Sequence, residues 1–301
     1  TAESIITTID KYFHNFIEET SLAVDKIAAV GIAPQGIIDS AKGRCLLGTH
    51  LGGVVNLDLG NRLKELFRLP IFVDDPVRAM TYFEKKHGKH KNVKNFIYIF
   101  LGKGVGSGIV INNKIYRGHR GIAGEIGHIM VDNSGARCKC GNYGCLETIA
   151  SRESIIRQIK EGVEDRVFTR IMDICHNNVD KIDLYVLEEA AAGNDKFSLN
   201  ILDHVGSYLG KAVTMLMLMF NPETIIISGE GAILSKYLID SINRTIKKNT
   251  LSIINEETHV QFLEYNKFLG STGIAIEAFD MLFDYAAKEA KCFINNLIGI
   301  V

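Results

Sequence analysis

The chain has little proline, no tryptophan and no excess of charge of either sign. Its 301 residues include four prolines and no tryptophan, and its formal net charge is −1. Proteins that grip DNA neutralise phosphates with clustered lysine and arginine side chains. The balanced charge therefore argues against a DNA-binding surface within this chain.

Long hydrophobic runs are also missing. The longest, residues 212–220, is interrupted by Thr214 and is far shorter than the roughly 20 residues that a membrane-spanning helix needs. We expect neither an arginine-rich leader nor a signal peptide, because the opening residues show neither pattern. Hydrophobic residues still make up 47% of the chain, which is enough for one large domain or two lobes.

Three of the six cysteines are grouped with a histidine in the pattern H-x9-C-x-C-x4-C, formed by His128, Cys138, Cys140 and Cys145. Thiolates and a neutral imidazole are ligands of tetrahedral zinc, and four of them close a structural site. Free buried cysteines or a disulfide are the alternatives. The glycines at 135, 141 and 144 favour zinc, because they let the backbone turn sharply between ligands. Since Cys45, Cys175 and Cys292 show no disulfide spacing, we expect a cytoplasmic protein with reduced thiols.

The same segment resembles the signature of the ROK family, which groups sugar kinases with sugar-responsive repressors. The resemblance rests on two motifs, E-x-G-H beginning at Glu125 and R-C-x-C-G-N-x-G-C-L-E-T beginning at Arg137. The second motif is most similar to the NagC/Mlc-type transcriptional repressor branch. The resemblance extends from about Ile27 to the C-terminal helix and is weaker outside this segment. It implies that the histidine and the three cysteines bind structural zinc, and that Glu125, His128 and Glu147 contact a sugar.

Helical and strand patterns alternate along the chain, which predicts an α/β fold. In the helix predicted over 197–219, apolar residues recur at helical spacing. This apolar stripe fits either burial in a core or an oligomer interface. By resemblance, the fold is the two-lobed actin-like ATPase fold of sugar kinases and ROK proteins, with the first strands of the N-terminal lobe missing. We expect a small, incomplete N-terminal lobe from residues 1–93 plus about 283–301, and a larger C-terminal lobe from 94–282 with the zinc site and dimer interface. The predicted helices are 3–19, 57–67, 76–86, 152–162, 183–193, 197–219, 235–248 and 271–295, and the predicted strands are 27–33, 69–75, 95–101, 108–111, 114–116, 224–228 and 258–264.

Asp74 and Asp75 follow the strand predicted over 69–75, at the end where α/β folds bind ligands. Asp75 could cap a helix that begins at Pro76, or it could contact a sugar. By resemblance, Asp75 matches the general base of ROK kinases, Asp74 lies beside it in the sugar site, and Gly53 lies in the sugar-site loop at 49–53. The kinases have Asn-Asp-Ala-Asn where this chain has Asp-Asp-Pro-Val. Two adjacent carboxylates disfavour ionisation of both. In this respect the sequence is more like that of the repressors than that of the kinases.

Two glycine-rich stretches resemble remnants of a nucleotide site. Gly102, Gly104 and Gly106 match the second phosphate loop of the kinases, and a tight turn between strands is the alternative. Lys103 stands where the kinases have threonine; lysine can meet a phosphate as a point charge, but the hydroxyl is lost. At Ser228-Gly-Glu-Gly, Glu230 interrupts the adenosine-site glycines, and a strand-to-helix turn is the alternative. ATP and Mg²⁺ are therefore not expected.

The motif Asp-x-Gly-x-Thr, with which ROK kinases hold ATP phosphates, does not occur in this chain. We expect the natural protein to include residues before Thr1. The main hypothesis is the effector-binding and dimerisation part of a ROK repressor. It would bind a sugar or sugar phosphate in the cleft between the lobes. It would form a homodimer or a dimer of dimers, and would bind operator DNA through a helix-turn-helix outside this chain. The alternatives are an ATP-dependent hexose kinase, with Asp75 as the base that activates the sugar C6 hydroxyl, and a sugar sensor that does not bind DNA.

Overall fold

A computed structural model describes the backbone of residues 1–49 and 51–297, and the side chains of 1–49, 51–254 and 256–283. His50 of the predicted sugar-site loop and residues 298–301 of the predicted N-terminal lobe lie outside the described residues. The chain divides into two compact units. The first unit contains Thr1–Lys91, Arg117–Ala123 and the described residues from Lys267 onward, and the second contains Asn92–Tyr116 and Gly124–Asn266.

Helices and strands alternate through much of the described chain. The strands are β1 (Val30–Ile32), β2 (Ile37–Asp39), β3 (Arg44–Gly48), β4 (Val54–Asp58), β5 (Ile71–Val73), β6 (Phe96–Leu101), β7 (Val105–Ile111), β8 (Lys114–Ile115), β9 (Thr224–Ser228) and β10 (His259–Phe262). The α-helices are α1 (Ala2–Thr20), α2 (Leu59–Phe67), α3 (Pro76–His87), α4 (Glu147–Ala150), α5 (Arg152–Glu164), α6 (Ile171–Ile174), α7 (Leu184–Ala192), α8 (Lys196–Phe220), α9 (Ser235–Asn249), α10 (Ser252–Glu257) and α11 (Leu269–Leu297). No helix in this described part of the chain is long and apolar enough to span a membrane.

The first unit contains two small sheets. Strands β1 and β5 pair in parallel, and β2, β3 and β4 form an antiparallel sheet. Helix α2 begins after β4 because the Asp58 carboxylate accepts a hydrogen bond from the Asn61 N–H at 3.1 Å, which caps the helix. Its Phe67 ring stacks on Phe13 of α1 with ring centroids 4.2 Å apart. The amphipathic faces of α1 and α2 thereby close the core of this unit over Ile38 and Val73.

The second unit is built on a five-stranded sheet in the order β10-β9-β6-β7-β8. Strands β10, β9 and β6 are mutually parallel, and β7 and β8 continue the sheet antiparallel. Every residue of β9 is buried, as expected for a central strand covered on both faces. The core explanation of the apolar stripe on α8 is confirmed for one face of the helix, where Leu202, Val205, Leu209, Val213, Leu216 and Met217 belong to the core of this unit.

The structure confirms most predicted elements and changes some boundaries. The helix predicted from residue 57 begins at Leu59, because residues 54–58 form β4. The strand predicted over 27–33 is reduced to β1, which follows a 3₁₀ turn at Val24–Lys26. Helical spacing groups Phe16 with the apolar residues Ile6 and Phe13 of the first helix, but Phe16 is 50% exposed. The sheet of β2, β3 and β4 was missed, since its strands of three to five residues are too short for periodicity to separate them from turns.

Candidate metal centre and neighbouring sites

The predicted zinc ligands converge in the second unit. The ligand atoms of His128, Cys138, Cys140 and Cys145 all lie within 4.8 Å of one another. Cys138 Sγ is 3.7 Å from His128 Nδ1, and Cys140 Sγ is 3.8 Å from Cys145 Sγ. Tetrahedral zinc, with bonds of about 2.3 Å to sulfur and about 2.1 Å to nitrogen, holds its ligand atoms roughly 3.6–3.8 Å apart. The donor set and its spacing therefore fit zinc, and the sulfur separation is far above the roughly 2.05 Å of a disulfide.

A tight hairpin brings the cysteines together. The Cys138 N–H donates to the Asn142 carbonyl at 2.7 Å, and the Gly144 N–H donates to the Ala136 carbonyl at 2.9 Å. Gly144 has φ +66°, and a Cβ there would lie 1.7 Å from the Asp132 carbonyl oxygen. No other residue fits this position without moving the backbone. The hairpin thus turns far enough for Cys138 and Cys145 to face the same point.

The histidine reaches this point from a 3₁₀ turn at Ile126–His128, which lies directly on β7. A Cβ at Gly127 would lie 2.1 Å from the Val105 carbonyl oxygen, and a Cβ at Gly124 would lie 2.1 Å from that of Ser107. The Ser107 N–H donates to the Gly124 carbonyl at 2.9 Å. Glycine at both positions therefore allows the close contact that holds the E-x-G-H segment, with half-buried Glu125 at its start.

Glu147 links the metal hairpin to the glycine-rich turn. It begins α4, two residues after Cys145, and its Oε2 accepts a hydrogen bond from the Val105 N–H at 3.0 Å. Two of the predicted phosphate-loop glycines, Gly102 and Gly104, lie in the connection between β6 and β7, where the Gly102 N–H donates to the Gly104 carbonyl at 3.0 Å. The tight-turn alternative is thus confirmed. Gly106 lies within β7, and a phosphate-binding role stays a prediction.

In the first unit, Asp75 caps α3. Its Oδ1 accepts hydrogen bonds from the Val77 and Arg78 N–H groups at 2.9 and 3.0 Å. Burial raises the pKa of the Asp75 carboxyl, and the positive charge of Arg78 opposes that rise. The capping explanation is confirmed; it engages one carboxylate oxygen, so it is compatible with the predicted sugar contact, which stays a prediction.

Asp74 lies in a buried ionic network. Its Oδ1 accepts from Arg78 Nε at 2.7 Å, and its Oδ2 accepts from Arg117 Nη2 at 2.9 Å. Arg117 also pairs with Glu277 of α11. Burial, and then the negative charge of Asp74, raise the pKa of Glu277 to about 7. Both Asp74 oxygens are therefore engaged by arginines; its predicted sugar contact is untested. Sequence reasoning did not predict that Arg117 and Glu277 pair with each other beside Asp74, because the three residues come from separate segments and share no motif.

Gly53 lies in an exposed turn between β3 and β4. Its φ is +73°, its N–H donates to the Gly48 carbonyl at 3.0 Å, and a Cβ there would meet nothing within 4 Å. Glycine is needed for this backbone conformation. The predicted approach of a sugar to Gly53 stays a prediction.

A cavity of about 640 Å³ opens beside the Ser228-Gly-Glu-Gly turn in the second unit. Gly229, with φ +104°, leads from β9 into a 3₁₀ turn at Glu230–Leu234, which confirms the strand-to-helix alternative. Three carboxylates line the cavity together with one basic residue, Arg152, which pairs with Glu230. The acidic lining residues are Asp183, Glu230 and Glu264.

Comparison with known proteins relates this chain to sugar-responsive regulators. The model of the ROK family matches residues 1–278. The chain is 32% identical to the xylose repressor of Bacillus spizizenii over 214 residues, which are 71% of this chain and 51% of the repressor. It is 30% identical to the DNA-binding transcriptional dual regulator NagC of Escherichia coli over 240 residues, which are 78% of this chain and 56% of NagC. The chain thus spans about half the length of these curated relatives.

Two solved structures are also similar. A ROK family transcriptional regulator, a homologue of the E. coli Mlc protein, has a TM-score of 0.77 and 29% identity, over 93% of this chain and 68% of that one. A ROK family glucokinase from Streptomyces griseus, in complex with glucose and AMPPNP, has a TM-score of 0.81 and 25% identity, over 93% and 89%. These matches confirm the predicted α/β class and the actin-like fold of sugar kinases and their repressor relatives.

Proposed function

The chain belongs to the ROK family, as its signature predicted, and from this premise we propose that it is the sugar-binding and dimerising part of a sugar-responsive transcriptional regulator. The relatives named as repressors support this proposal, with 30–32% identity. A glucokinase has the same fold. The choice between regulator and kinase therefore depends on the site residues of this chain.

The observation that carries the choice is the charge of the cavity beside Gly229. In the kinases, by resemblance, glycines at this position receive adenosine. Here three carboxylates line the cavity, and Arg152, the basic residue among its described lining, is already paired with Glu230. Negative groups in a confined space repel a polyphosphate more strongly than they would in water. Lys103 also replaces the threonine hydroxyl of the phosphate loop. A regulator that binds sugar without ATP fits this arrangement better.

The residues proposed to contact the sugar fall into two groups, one in each unit. The first unit contributes Asp75, Asp74 and Gly53. Asp74 is less available to a sugar, because arginines already occupy both of its carboxylate oxygens. The second contributes Glu125, His128 and Glu147. Carboxylates and imidazole suit sugar hydroxyls, because each can accept a hydrogen bond in a fixed direction.

Zinc would support the proposed sugar site by holding His128 and Glu147 in place. His128 would bind the metal through Nδ1, the ring nitrogen that lies 3.7 Å from Cys138 Sγ. Its Nε2 would then be available to a sugar hydroxyl, because metal binding at one nitrogen settles the tautomer at the other. The hairpin that carries the cysteines also leads into Glu147. Loss of zinc is therefore expected to displace both sugar-binding side chains.

A dimer is proposed through α8. Met215, Leu218 and Met219 are 38–72% exposed, and their spacing places them on one face of this helix. Such a face suits pairing with a second copy. A sugar would act by binding one arrangement of the dimer more tightly than another. That shift would alter the separation of two DNA-reading helices, which must match operator half-sites about one helical turn apart. The operator contacts are proposed to lie outside this chain.

The second candidate function, an ATP-dependent hexose kinase, is favoured by one feature. Asp75 matches the position of the kinase base, and burial raises the pKa of its carboxyl, which makes the carboxylate a stronger proton acceptor. A base alone does not transfer a phosphoryl group, because the reaction depends on electrostatic clamping of the triphosphate.

Calorimetric titration separates the two functions. The protein is titrated with a panel of sugars and sugar phosphates, each with and without Mg-ATP. We expect heat from one sugar or sugar phosphate, no heat from Mg-ATP and no turnover. Asp75→Asn serves as the control for specific sugar binding. Binding of ATP with formation of a sugar phosphate would instead establish the kinase.

A further inference from the structure

A smaller cavity of about 250 Å³ in the second unit has the opposite charge to the cavity beside Gly229. The glycine-rich turn, the metal hairpin and the first turns of α4 and α5 line it. Its charged lining consists of four basic residues, Lys103, Arg137, Lys139 and Arg157, and two acidic ones, Glu147 and Glu153. An excess of positive charge in a concave surface attracts anions.

Two of the basic side chains are already engaged. Lys139 Nζ pairs with Glu153 at 2.9 Å, and Arg157 pairs with Glu161 at 2.7 Å. Lys103 and Arg137 have no carboxylate partner among the residues that the structure describes. Lys103 is half-buried and Arg137 is exposed. These two cations from separate segments therefore remain available to a ligand.

The neutral part of the lining suits a polar ligand. Thr148, Ser151 and Ser154 belong to it. The Thr148 and Ser154 hydroxyls donate to the Cys145 and Glu147 carbonyls, and Ser151 Oγ donates to Ser154 Oγ at 2.9 Å, so the hydroxyl oxygens face the lining as acceptors. Glu147, one of the residues proposed to contact the sugar, lines the same cavity. Its volume lies just under the roughly 300 Å³ at which sites for drug-sized ligands begin. This size suits a small phosphorylated molecule better than a nucleotide.

We propose that this cavity binds the phosphoryl group of a sugar phosphate, with Lys103 and Arg137 as its cationic ligands. A phosphomonoester carries between one and two negative charges at neutral pH. The arginine fork can bind two phosphate oxygens at once, and the lysine adds a point charge. Glu147 lies where it could accept a hydrogen bond from a sugar hydroxyl. The inference rests on the proposed function and deepens it, because it names the phosphorylated form as the effector.

Titrations with three kinds of probe test this site: inorganic phosphate, hexose 6-phosphates (glucose 6-phosphate and N-acetylglucosamine 6-phosphate), and the corresponding free sugars. The variants are Lys103→Ala, Arg137→Ala and the conservative Arg137→Lys. Lys114→Ala, which removes an exposed lysine of β8 outside the cavity, is the matched control. Zinc content is measured for each variant, because Arg137 is next to the ligand Cys138.

We expect a sugar phosphate to bind, and inorganic phosphate to compete with it. Each alanine variant should weaken sugar-phosphate binding at least about tenfold, as expected for loss of a charged hydrogen bond, with zinc content unchanged. Arg137→Lys should recover part of the affinity, and Lys114→Ala should bind like the wild type. Competition by inorganic phosphate separates recognition of the phosphoryl group from recognition of the sugar.

The inference is overturned if neither inorganic phosphate nor any sugar phosphate is affected by the Lys103 and Arg137 variants. Binding of a free sugar in the same experiment would leave the proposed function intact. Conversely, phosphate binding that depends on both residues, without binding of any sugar or sugar phosphate, would support the anion site and overturn the sugar-responsive function. The two failures are thus distinguishable.

Discussion

Replacing Glu277 with glutamine should remove a pH dependence of stability that is built into the first unit. Glu277 is 1% exposed, and its Oε2 has no hydrogen-bond partner among the side chains that the structure describes. Burial, and then the negative charge of Asp74, raise its pKa from 4.5 to about 7, although Arg117 and Arg78 oppose the rise. The folded protein therefore holds this proton over a pH range in which the unfolded chain releases it.

The sign and size of the effect follow from this difference in proton binding. Unfolding releases a proton from Glu277 between pH 4.5 and about 7, so rising pH favours the unfolded state in that window. The contribution to stability is complete below pH 4.5 and is lost as the pH passes about 7. With about 1.4 kcal/mol per pKa unit, the wild type should lose roughly 2.5 kcal/mol of unfolding free energy between about pH 5 and pH 8 from this group.

Urea denaturation of the wild type and Glu277→Gln at several pH values measures the effect. Glutamine does not titrate, so the difference in unfolding free energy should shift by roughly 2.5 kcal/mol in favour of the variant between about pH 5 and pH 8. Histidines and other titrating groups are common to both proteins and largely cancel. Glu65→Gln, at an exposed position of α2, should give a constant difference. Parallel curves for wild type and Glu277→Gln would refute the reasoning.

Further predictions concern the site residues. Asp75→Asn retains a good cap for α3 but removes the carboxylate, so calorimetry should show at least about tenfold weaker sugar binding at nearly unchanged stability, whereas Asp75→Ala should also lose about 1 kcal/mol of unfolding free energy. Cys140→Ser should reduce bound zinc, measured by metal analysis, and abolish sugar binding; a zinc-free variant with unchanged sugar affinity would contradict that coupling. Gly144→Ala places a Cβ 1.7 Å from the Asp132 carbonyl oxygen, so it should cost more than about 1 kcal/mol and speed zinc loss to a chelator. Zinc loss at the wild-type rate would show that the hairpin tolerates the change.

The candidate metal centre was predictable from sequence because its determinants are local. The ligands fall within residues 128–145, and the hairpin glycines of that segment have positive φ at 141 and 144. Ligand spacing and turn-forming residues depend on neighbours in the chain, so they can be recognised from the sequence without knowledge of the fold. The Asp75 cap was predictable for the same reason, because the helix-starting Pro76 directly follows it.

Charge pairing was much less predictable. The composition of the basic stretch at residues 85–94 predicts a solvated loop. His90 of this stretch is nevertheless only 7% exposed, and its Nδ1 lies 2.6 Å from Glu84 Oε1. A Cβ at Gly88 would lie 2.2 Å from the Glu84 carboxylate, so the absence of a side chain at that position lets the pair form. Composition does not show which charged groups will be buried together.

The sequence by itself determined which histidine and cysteines form the candidate metal centre, most of the helices and strands, and membership of the ROK family. Only the tertiary structure decided that Arg117 and Glu277 join Asp74 in a buried network, and that one cavity of the second unit is acidic while another is basic. The physical reason is the range of the interactions. Periodicity, caps and metal-ligand spacing depend on residues a few positions apart. Burial and the electrostatic character of a cavity depend on segments that folding brings together from distant parts of the chain.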